Sequence, residues 1–468
     1  MERRESILLL LIAVVAFMDC LDGSIINVAL PTISDQLSID MASASWFTIS
    51  YFAMMAGLLI LFGRIANNTS IRKVLISGLA VFIISSFVCG IAESFEVLLI
   101  ARIVQGTGAA MMGATVPMAC VKFFSPRILA FAFAFITIGY SVGAAMGPAL
   151  GGVLIEFFSW HWIFFINIPI GIILILLLMV FLPKEEENEH TPVDYIGAVL
   201  LFISILGCIM FFQNLSSDMV TLLFYAAVFV IFLVLFAIRE LRTEYPLLNV
   251  RMFLNSRFNL TICAYLIVNV VYLGLMYLLP FYIEIVLGYG SFESGMLLFI
   301  PPVVTLVFCI PIARWSDNAG RRWFCVATSV SIALAFVLLY FNGTSLGIMI
   351  FLSLILMGFT WAFCGGPLSS NIIETVEGES REMGSTMVSE AGYFGSTIGT
   401  ALFASLFSLF AGTSGIDISD VSPAMFIDGF LPLMLIGCVM AVIAALMSYV
   451  VKDNGRQNGE DGIQGDQR

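Results

Sequence analysis

The fold of this chain is decided by a stretch near its start, ILLLLIAVVAFMDCLDGSIINVALP, residues 7–31. Its charged residues are Asp19 and Asp22, and its apolar run is continuous. A helix needs roughly 20 apolar residues to cross the hydrocarbon core of a bilayer. Arg3 and Arg4 precede the stretch as in a signal peptide, but no small-x-small cleavage site follows it. We therefore predict an uncleaved membrane-spanning helix.

Similar stretches recur along the whole chain of 468 residues, which is 60% hydrophobic and 11% charged. Soluble domains average roughly 45–50% apolar and 25% charged residues. The runs are continuous, whereas the strands of a membrane barrel alternate with period two. The sequence therefore predicts an all-α polytopic membrane protein with fourteen transmembrane helices and short loops. The candidate spans are 7–31, 45–64, 73–92, 96–119, 129–155, 162–182, 194–214, 219–239, 258–285, 294–314, 323–341, 346–369, 385–411 and 426–450.

The Lys and Arg residues indicate the orientation, because they occur in every second polar stretch only. Positive charge in short loops is typical of the cytoplasmic side of a membrane protein. We therefore expect a multi-pass protein of the cytoplasmic membrane with both termini in the cytoplasm. One base, Arg102, falls inside an apolar span and needs a separate explanation.

The chain divides into two similar halves. A charged stretch, PKEEENEHTPVD, follows the sixth span, and short basic loops at 63–75 and 313–323 follow the second and tenth spans. Duplicated bundles of this kind are typical of transporters. The predicted units are an N-terminal six-helix bundle (1–182), a cytoplasmic linker (183–193), an inserted helix pair (194–240), a cytoplasmic loop (241–257), a C-terminal six-helix bundle (258–450) and a disordered cytoplasmic tail (451–468).

Two acids in the first span are candidates for proton transfer. Asp19 and Asp22 lie three residues apart and therefore on one face of the helix. Ionisable groups within a membrane are costly and mark function by default. Two neighbouring carboxylates in a low dielectric resist being ionised together, so one of them can carry a proton. The alternative is a structural role as a helix cap beside Gly23 and Ser24.

Arg102 is expected to pair with one of these acids. It lies about six residues inside its span, which at about 1.5 Å per residue puts it at a depth similar to that of Asp22. An unpaired Arg at this depth is very unfavourable, so a carboxylate partner is predicted. The pair could serve proton transfer or could be purely structural.

Glycine recurs every fourth residue in the fifth span. Gly139, Gly143, Gly147 and Gly151, with Pro148 among them, form one face that allows another helix to approach closely. The thirteenth span has similar glycines and also carries Glu390. This acid is predicted either to bind a cationic substrate or to be a snorkelling residue near the inner end of the span.

No enzymatic or cofactor chemistry is indicated. None of the four Lys residues follows a Gly, so a phosphate-binding P-loop is absent. The nine Cys residues all lie inside predicted spans without paired spacing, which indicates neither disulfides nor a metal site. We therefore expect no catalytic residues, no metal and no cofactor, and transport would have to use an ion gradient.

Several motifs resemble those of the fourteen-helix drug/proton antiporters of the major facilitator superfamily. They are LDGSIINVALP (21–31), LLIARIVQGTGAA (98–110), GYSVGAAMGPALGG (139–152), WHWIFFINIPIG (160–171) and YIEIVLGYGSFESGMLLFIPP (282–302). The resemblance implies the major facilitator fold and an exporter of drugs or quaternary ammonium compounds. It also implies that Asp22 is the motif acid, that Arg102 and Gln105 assist proton transfer, and that the glycine run is an antiporter motif.

The loop after the tenth span also resembles a family motif, which implies a cytoplasmic gate. This second-half copy keeps Asp317, Gly320, Arg321 and Arg322. The first-half copy departs from the pattern, with Asn67, Asn68, Ser70 and Ile71 at four of its positions. Whether the first copy still gates is left open.

We therefore predict a proton-coupled secondary transporter that exports lipophilic amphiphiles by alternating access. Asp19, Asp22 and Glu390 outnumber the one buried base, Arg102, so cations are favoured over anions. The alternatives are an exporter of an endogenous lipid or metabolite, an importer, or, from another class, a channel or receptor. The expected partners are a small amphiphilic substrate, protons and the lipid bilayer, without nucleic acid, and the expected state is a monomer.

Overall fold

A computed structural model of the protein describes residues 3–124, 129–184, 192–248, 250–342, 347–375, 380–413 and 415–451. Within these ranges, 13 helices are long and apolar enough to cross a membrane by length and composition. A shorter apolar helix, Ile348–Phe363, lies in the predicted twelfth span. The prediction of an all-α polytopic membrane protein is confirmed. The predicted disordered tail lies almost wholly outside the described residues.

The first half begins with long helices whose starts are capped by short polar side chains. Asp40 accepts a hydrogen bond from the Ser43 backbone N–H at 2.9 Å, and Ser70 and Ser94 cap the next two helices in the same way. The helices are α1 (Arg3–Leu37), α2 (Met41–Asn68), α3 (Ile71–Gly90), α4 (Phe95–Phe123), α5 (Leu129–Phe157), the short α6 (Trp162–Phe165) and α7 (Asn167–Phe181).

Two helices, α8 (Tyr195–Gln213) and α9 (Met219–Arg242), follow where the inserted pair is predicted. The second half contains α10 (Ser256–Phe281), α11 (Ser291–Leu298), α12 (Ile300–Ala319), α13 (Arg322–Asn342), α14 (Ile348–Phe363), α15 (Ser369–Glu374), α16 (Ser380–Ala411) and α17 (Pro423–Val450). Short 3₁₀ segments lie at Val250–Leu254 and Ile418–Asp420.

Prolines interrupt two of the predicted spans. The tenth span is split between α11 and α12 at Phe299, two residues before the pair Pro301 and Pro302. The twelfth span leaves α-helical geometry at a π-helical segment, Cys364–Leu368, which contains Pro367. Proline lacks the backbone N–H of a helix and clashes with the preceding turn, so helices break or bulge at such positions.

Each half contains one very close helix pair: α5 packs on α1, and α16 packs on α10. The halves meet along two seams, one between α2 and α16 and the other between α5 and the α11–α12 segment. Hydrogen bonds join them at the end where α1 leads into α2. There the Tyr277 hydroxyl donates to the Met41 carbonyl, and the Gly415 N–H donates to Asp40 at 3.0 Å.

The helix α8 covers only one of these seams. Its Gln213 side chain donates to the Ala42 carbonyl and to the Ser45 hydroxyl of α2, both at 3.1 Å. Towards α16 its contact is apolar, because Ile205 and Ile209 join a cluster that includes Ala401. The first helix of the inserted pair, α8, is therefore part of this seam.

Candidate functional site

The predicted pairing of Asp22 with Arg102 is present in the centre of the first half. Asp22 lies on α1, and its Oδ2 atom is 2.6 Å from Nη1 of Arg102 on α4. Its Oδ1 atom accepts hydrogen bonds from the amides of Gln105, at 2.9 Å, and Asn167, at 2.8 Å. Only 1% of Asp22 and 0% of Arg102 is exposed. Both carboxylate oxygens therefore have nitrogen donors, and water does not solvate the pair.

The Arg102 guanidinium has further partners on α2 and α4. Its Nε donates to the Phe47 carbonyl at 3.0 Å, and Nη1 donates to Gln105 at 2.6 Å. The guanidinium also lies over the ring of Tyr51, 4.3 Å from the ring centroid. A charge with this burial is tolerated only with a good ion pair and additional hydrogen bonds. Residues 98–110 of α4 are thus helical, and Arg102 lies on the face of this helix that packs against α1.

Two polar members of this cluster, one donor and one acceptor, were not predicted from the sequence. Asn167 begins α7 and is fully buried, and Ser86 on α3 accepts a hydrogen bond from Gln105 at 2.9 Å. The signal for Asn167 was its position as an isolated amide in the otherwise apolar stretch IFFINIPIG. A polar side chain surrounded by apolar residues in a span usually has a polar partner.

Asp19 has a different environment from Asp22, although both lie on α1. The Tyr51 hydroxyl donates to its Oδ1 atom at 3.0 Å. The hydroxyl of Tyr393, on α16 of the second half, also faces this carboxyl. Asp19 is 5% exposed, and no basic side chain lies within ion-pair distance of it in the described part of the chain. Hydroxyl groups rather than cations therefore surround this acid.

Glu390 lies apart from the Asp22 cluster. It is 7% exposed on α16 and faces the backbone of α2 near Ile60, in the seam between the halves. Its Oε1 atom has no hydrogen-bond partner among the described residues. The side chain is thus covered by neighbouring helices, and snorkelling towards the inner interface remains the alternative interpretation. Its predicted role in binding a cation remains a prediction.

The glycine face of α5 packs directly on α1. A Cβ atom added to Gly139 would lie 2.4 Å from the Ala13 carbonyl oxygen, and one on Gly143 would lie 2.5 Å from that of Phe17. Added Cβ atoms on Gly147 and Gly151 would also come within 3 Å of α1 side chains. The Pro148 carbonyl contacts Gly295 of α11 across the seam between the halves. The glycines thus permit close packing of α5 on α1, and the geometry gives no direction of transport.

The predicted gate loop of the second half connects α12 to α13 and contacts the end of α17. Gly320 ends α12 with φ of 92°, a conformation that favours glycine. Arg322 donates from Nε to the Tyr449 carbonyl, at 2.8 Å, at the end of α17. The backbone of Asp317 is part of α12, whereas its side chain lies outside the described residues, and Arg321 begins the turn into α13.

The first-half copy of this loop makes the matching contact although most of its motif is lost. Arg72 donates to the Leu182 carbonyl at 2.7 Å and to the Met179 carbonyl at 2.5 Å, at the end of α7. Each of Arg72 and Arg322 thus binds the last carbonyls of the final helix in its own half. Cations stabilise helix C-termini in this way.

Buried ionisable side chains in membrane-spanning helices are typical of membrane transport proteins. Residues 12–400 match the family model of the Major Facilitator Superfamily. The chain therefore belongs to the major facilitator superfamily, a family of transporters and not of enzymes.

Individual relatives are similar over most of the chain. The riboflavin transporter RibZ of Clostridioides difficile is 27% identical over 408 residues, which cover 87% of this chain and 89% of RibZ. The multidrug export protein EmrB of Haemophilus influenzae is 28% identical over 340 residues, which cover 71% of this chain and 64% of EmrB.

The same fold occurs in a solved bacterial homologue of the human lysosomal transporter Spinster, in an inward-facing and unoccupied conformation. The two structures match with a TM-score of 0.71 at 17% sequence identity over 96% of this chain and 97% of the homologue. The predicted major facilitator fold is confirmed.

Proposed function

We propose that this transporter exports lipophilic cationic amphiphiles in exchange for protons. The observation that carries the proposal is the pair of buried acids on α1, one bound to Arg102 and the other bound only by hydroxyl groups. A proton carrier needs an acid that is shielded from water and can lose its proton without unfolding the helix. Gln105 and Arg102 hold the neighbouring acid in place, in keeping with the family motif that they match.

The preference for cations follows from the charges inside the bundle. Asp19, Asp22 and Glu390 are buried acids, and Arg102 is their one buried basic counterpart among the described residues of the spans. A cation can replace a proton at such a site, whereas an anion is repelled more strongly than in water because the dielectric is low. The similarity to the multidrug export protein EmrB supports export of drugs, and the preference for cations rests on the charges alone.

The orientation and the conformational cycle are part of the proposal. The Lys and Arg residues in alternate loops favour cytoplasmic termini. With this orientation, the hydrogen bonds between Tyr277 and Met41 and between Gly415 and Asp40 close the outer side. Thiol labelling of Lys73→Cys and Asp417→Cys in a cysteine-free variant tests it. An external, membrane-impermeant reagent should modify the second and not the first, and the reverse result would overturn the orientation.

Rocking of the two halves would then carry substrate outward through a monomer. The loop around Gly320 and Arg322 would close the inner side, and the glycine face of α5 would keep its contact with α1 during the movement.

Transport by purified protein in proteoliposomes tests the proposed function. An imposed pH gradient should drive accumulation of tetraphenylphosphonium, and an ionophore that collapses the gradient should abolish it. Asp22→Asn is the matched control, because it retains the shape of the side chain and removes the carboxylate. Gradient-driven transport at the wild-type rate by well-folded Asp22→Asn would contradict the proposed coupling.

A second candidate function is transport of a neutral aromatic metabolite, which the similarity to RibZ favours. Riboflavin, which has no charge at neutral pH, serves as the competing probe in the same proteoliposomes. Saturable riboflavin transport without tetraphenylphosphonium transport would replace the cation proposal. Transport of tetraphenylphosphonium that riboflavin does not inhibit would support it.

A further inference from the structure

We propose that Asp19, and not the motif acid Asp22, is the carboxyl that exchanges the proton, while Asp22 stays ionised as the fixed partner of Arg102. This inference rests on the proposed proton coupling and assigns a different role to each of the two acids. The supporting observation is that the two carboxyl groups have different hydrogen-bonding partners.

Asp22 is held in its charged form by its partners. All three of its hydrogen-bonded neighbours, Arg102, Gln105 and Asn167, present nitrogen donors. An amide N–H or a guanidinium cannot accept the O–H of a carboxylic acid. A proton on Asp22 would also leave the Arg102 charge without its counter-ion, at 0% exposure. Leaving one charge of a buried pair uncompensated is strongly unfavourable. A proton on Asp22 would therefore have to displace one of these donors and separate the ion pair with Arg102.

Asp19 has partners that suit both protonation states. A tyrosine hydroxyl can donate to a carboxylate, and the same oxygen can accept from a carboxylic acid. The Tyr51 hydroxyl, 3.0 Å from Oδ1 of Asp19, can therefore remain bound while the proton comes and goes. The exchange requires a rotation of two O–H bonds and no displacement of a helix.

The remaining titratable groups around Asp19 are neutral or already paired. Cys20 and Asp22 lie on its own helix, and Asp22 is bound to Arg102. The other elements present the hydroxyls of Tyr51 from α2, Tyr140 from α5 and Tyr393 from α16. The Arg102 guanidinium lies over the Tyr51 ring, 4.3 Å from its centroid. In the described part of the chain, no cation competes with a proton for Asp19.

Tyr393 connects this acid to the other half of the molecule. It belongs to α16, and its ring stacks on Phe52 of α2 at a centroid distance of 6.3 Å. A relative movement of the halves along the α2–α16 seam must therefore change the second hydroxyl contact of Asp19. The same contact makes proton binding at Asp19 sensitive to the conformational state, which is the linkage that alternating access requires.

Infrared difference spectroscopy of the purified, reconstituted protein tests the assignment without any substrate. A titrating carboxylic acid produces a C=O stretching band that disappears when the acid is ionised. We expect a pH-dependent band in the wild type that is lost in Asp19→Asn. The band should remain in the double variant Asp22→Asn/Arg102→Gln, which removes both charges of the pair together. A band that survives in Asp19→Asn and disappears in the double variant would overturn the proposal.

Two tyrosine variants keep the assignment testable if the double variant fails to fold. Tyr51→Phe and Tyr393→Phe should each shift the titration midpoint of the band without removing it. A midpoint unchanged in both variants would also contradict the proposal. A band assigned to Asp19 in a protein that shows no gradient-driven tetraphenylphosphonium transport would count against the proposed function and not against the assignment.

Discussion

The pair α1–α5 in the first half and the pair α10–α16 in the second are built in the same way. A Cβ added to Gly143 would meet the Phe17 carbonyl and the Leu21 N–H of α1. One added to Gly395 would meet the Leu266 carbonyl and the Val270 N–H of α10. Each contact thus involves a carbonyl and the N–H of the residue four positions later. The backbone packing of one half is therefore repeated in the other.

The chemistry on these matching helices is entirely different. With Phe17 aligned on Leu266, Asp19 and Asp22 of α1 correspond to Val268 and Val271 of α10, both fully buried. The helix α14 has the position in the second half that α4 has in the first, and its sequence, IMIFLSLILMGFTWAF, contains no charged residue. The comparison teaches that the helix packing is shared, whereas the buried ion pair between Asp22 and Arg102 belongs to the first half and has no counterpart on α10 and α14.

The largest expected effect comes from breaking the ion pair of the first half. Asp22→Ala leaves Arg102 buried without a counter-ion, which we expect to cost about 3–5 kcal/mol of stability. Thermal unfolding in detergent, followed by tryptophan fluorescence, measures the loss. The double variant Asp22→Ala/Arg102→Leu should recover most of the stability and none of the proton-driven transport. Equal unfolding temperatures for Asp22→Ala and the wild type would contradict the prediction.

Placing an acid at the matching site of the second half sharpens the same comparison. Val271→Asp puts a carboxylate where α14 offers no cation, so it should be as destabilising as Asp22→Ala. Val271→Asn is the control for shape and polarity. A stable and active Val271→Asp variant would mean that the second half tolerates a buried charge at this position. The absence of an ion pair there would then not be explained by its energetic cost.

Glycine variants should affect both halves to a similar extent. In Gly143→Ala the new methyl group meets the Phe17 carbonyl, and in Gly399→Ala it meets that of Val270. Overpacking of this kind typically costs about 1–3 kcal/mol, so both variants should unfold at lower temperature. Gly63→Ala on α2 is the control, because nothing lies within 4 Å of its added Cβ. A large effect in one half only would show that the two glycine faces are not equivalent.

The smallest expected effect concerns the two arginines that bind helix C-termini. Arg72→Ala and Arg322→Ala each remove a cation from the end of the last helix in their half. A contribution of about 0.3–1 kcal/mol is typical for such contacts, so each variant should lower stability slightly and equally. Lys73→Ala, at an exposed neighbouring position, provides the control. A severe loss in Arg322→Ala, with none in Arg72→Ala, would indicate a gating role that only the second copy retains.

Much of the fold and part of the site could be predicted from the sequence. The lengths of the apolar runs predict the spans, because a helix must be long and apolar enough to cross the hydrocarbon core of the bilayer. The energetic cost of an unpaired buried charge predicts that Arg102 has a carboxylate partner. The hydrogen bonds made by Asn167, Ser86 and Tyr51 could not be predicted in the same way. Polar side chains of this kind are common in membrane helices, and their pairing depends on how each helix is rotated within the bundle.

The contact between Asp19 and Tyr393 illustrates a second limit. These residues are far apart in sequence and belong to different halves, so no periodicity or spacing links them. The breaks at Phe299 and at Cys364–Leu368 were also missed, although Pro301, Pro302 and Pro367 mark them in the sequence. The burial of Glu390 against α2 could not be predicted for a related reason, because distance from a span's end does not reveal which neighbour covers the side chain.

The helix α8 contacts the two halves in different ways. Its Gln213 holds the first turns of α2 by two directed hydrogen bonds, whereas its contact with Ala401 of α16 consists of apolar side chains. Directed hydrogen bonds are lost when groups shift by an ångström or two, but apolar surfaces keep most of their contact as they move past each other. In the rocking motion proposed above, we therefore expect α8 to move with α2 of the first half, while the apolar α8–α16 surface stays in contact as the second half shifts.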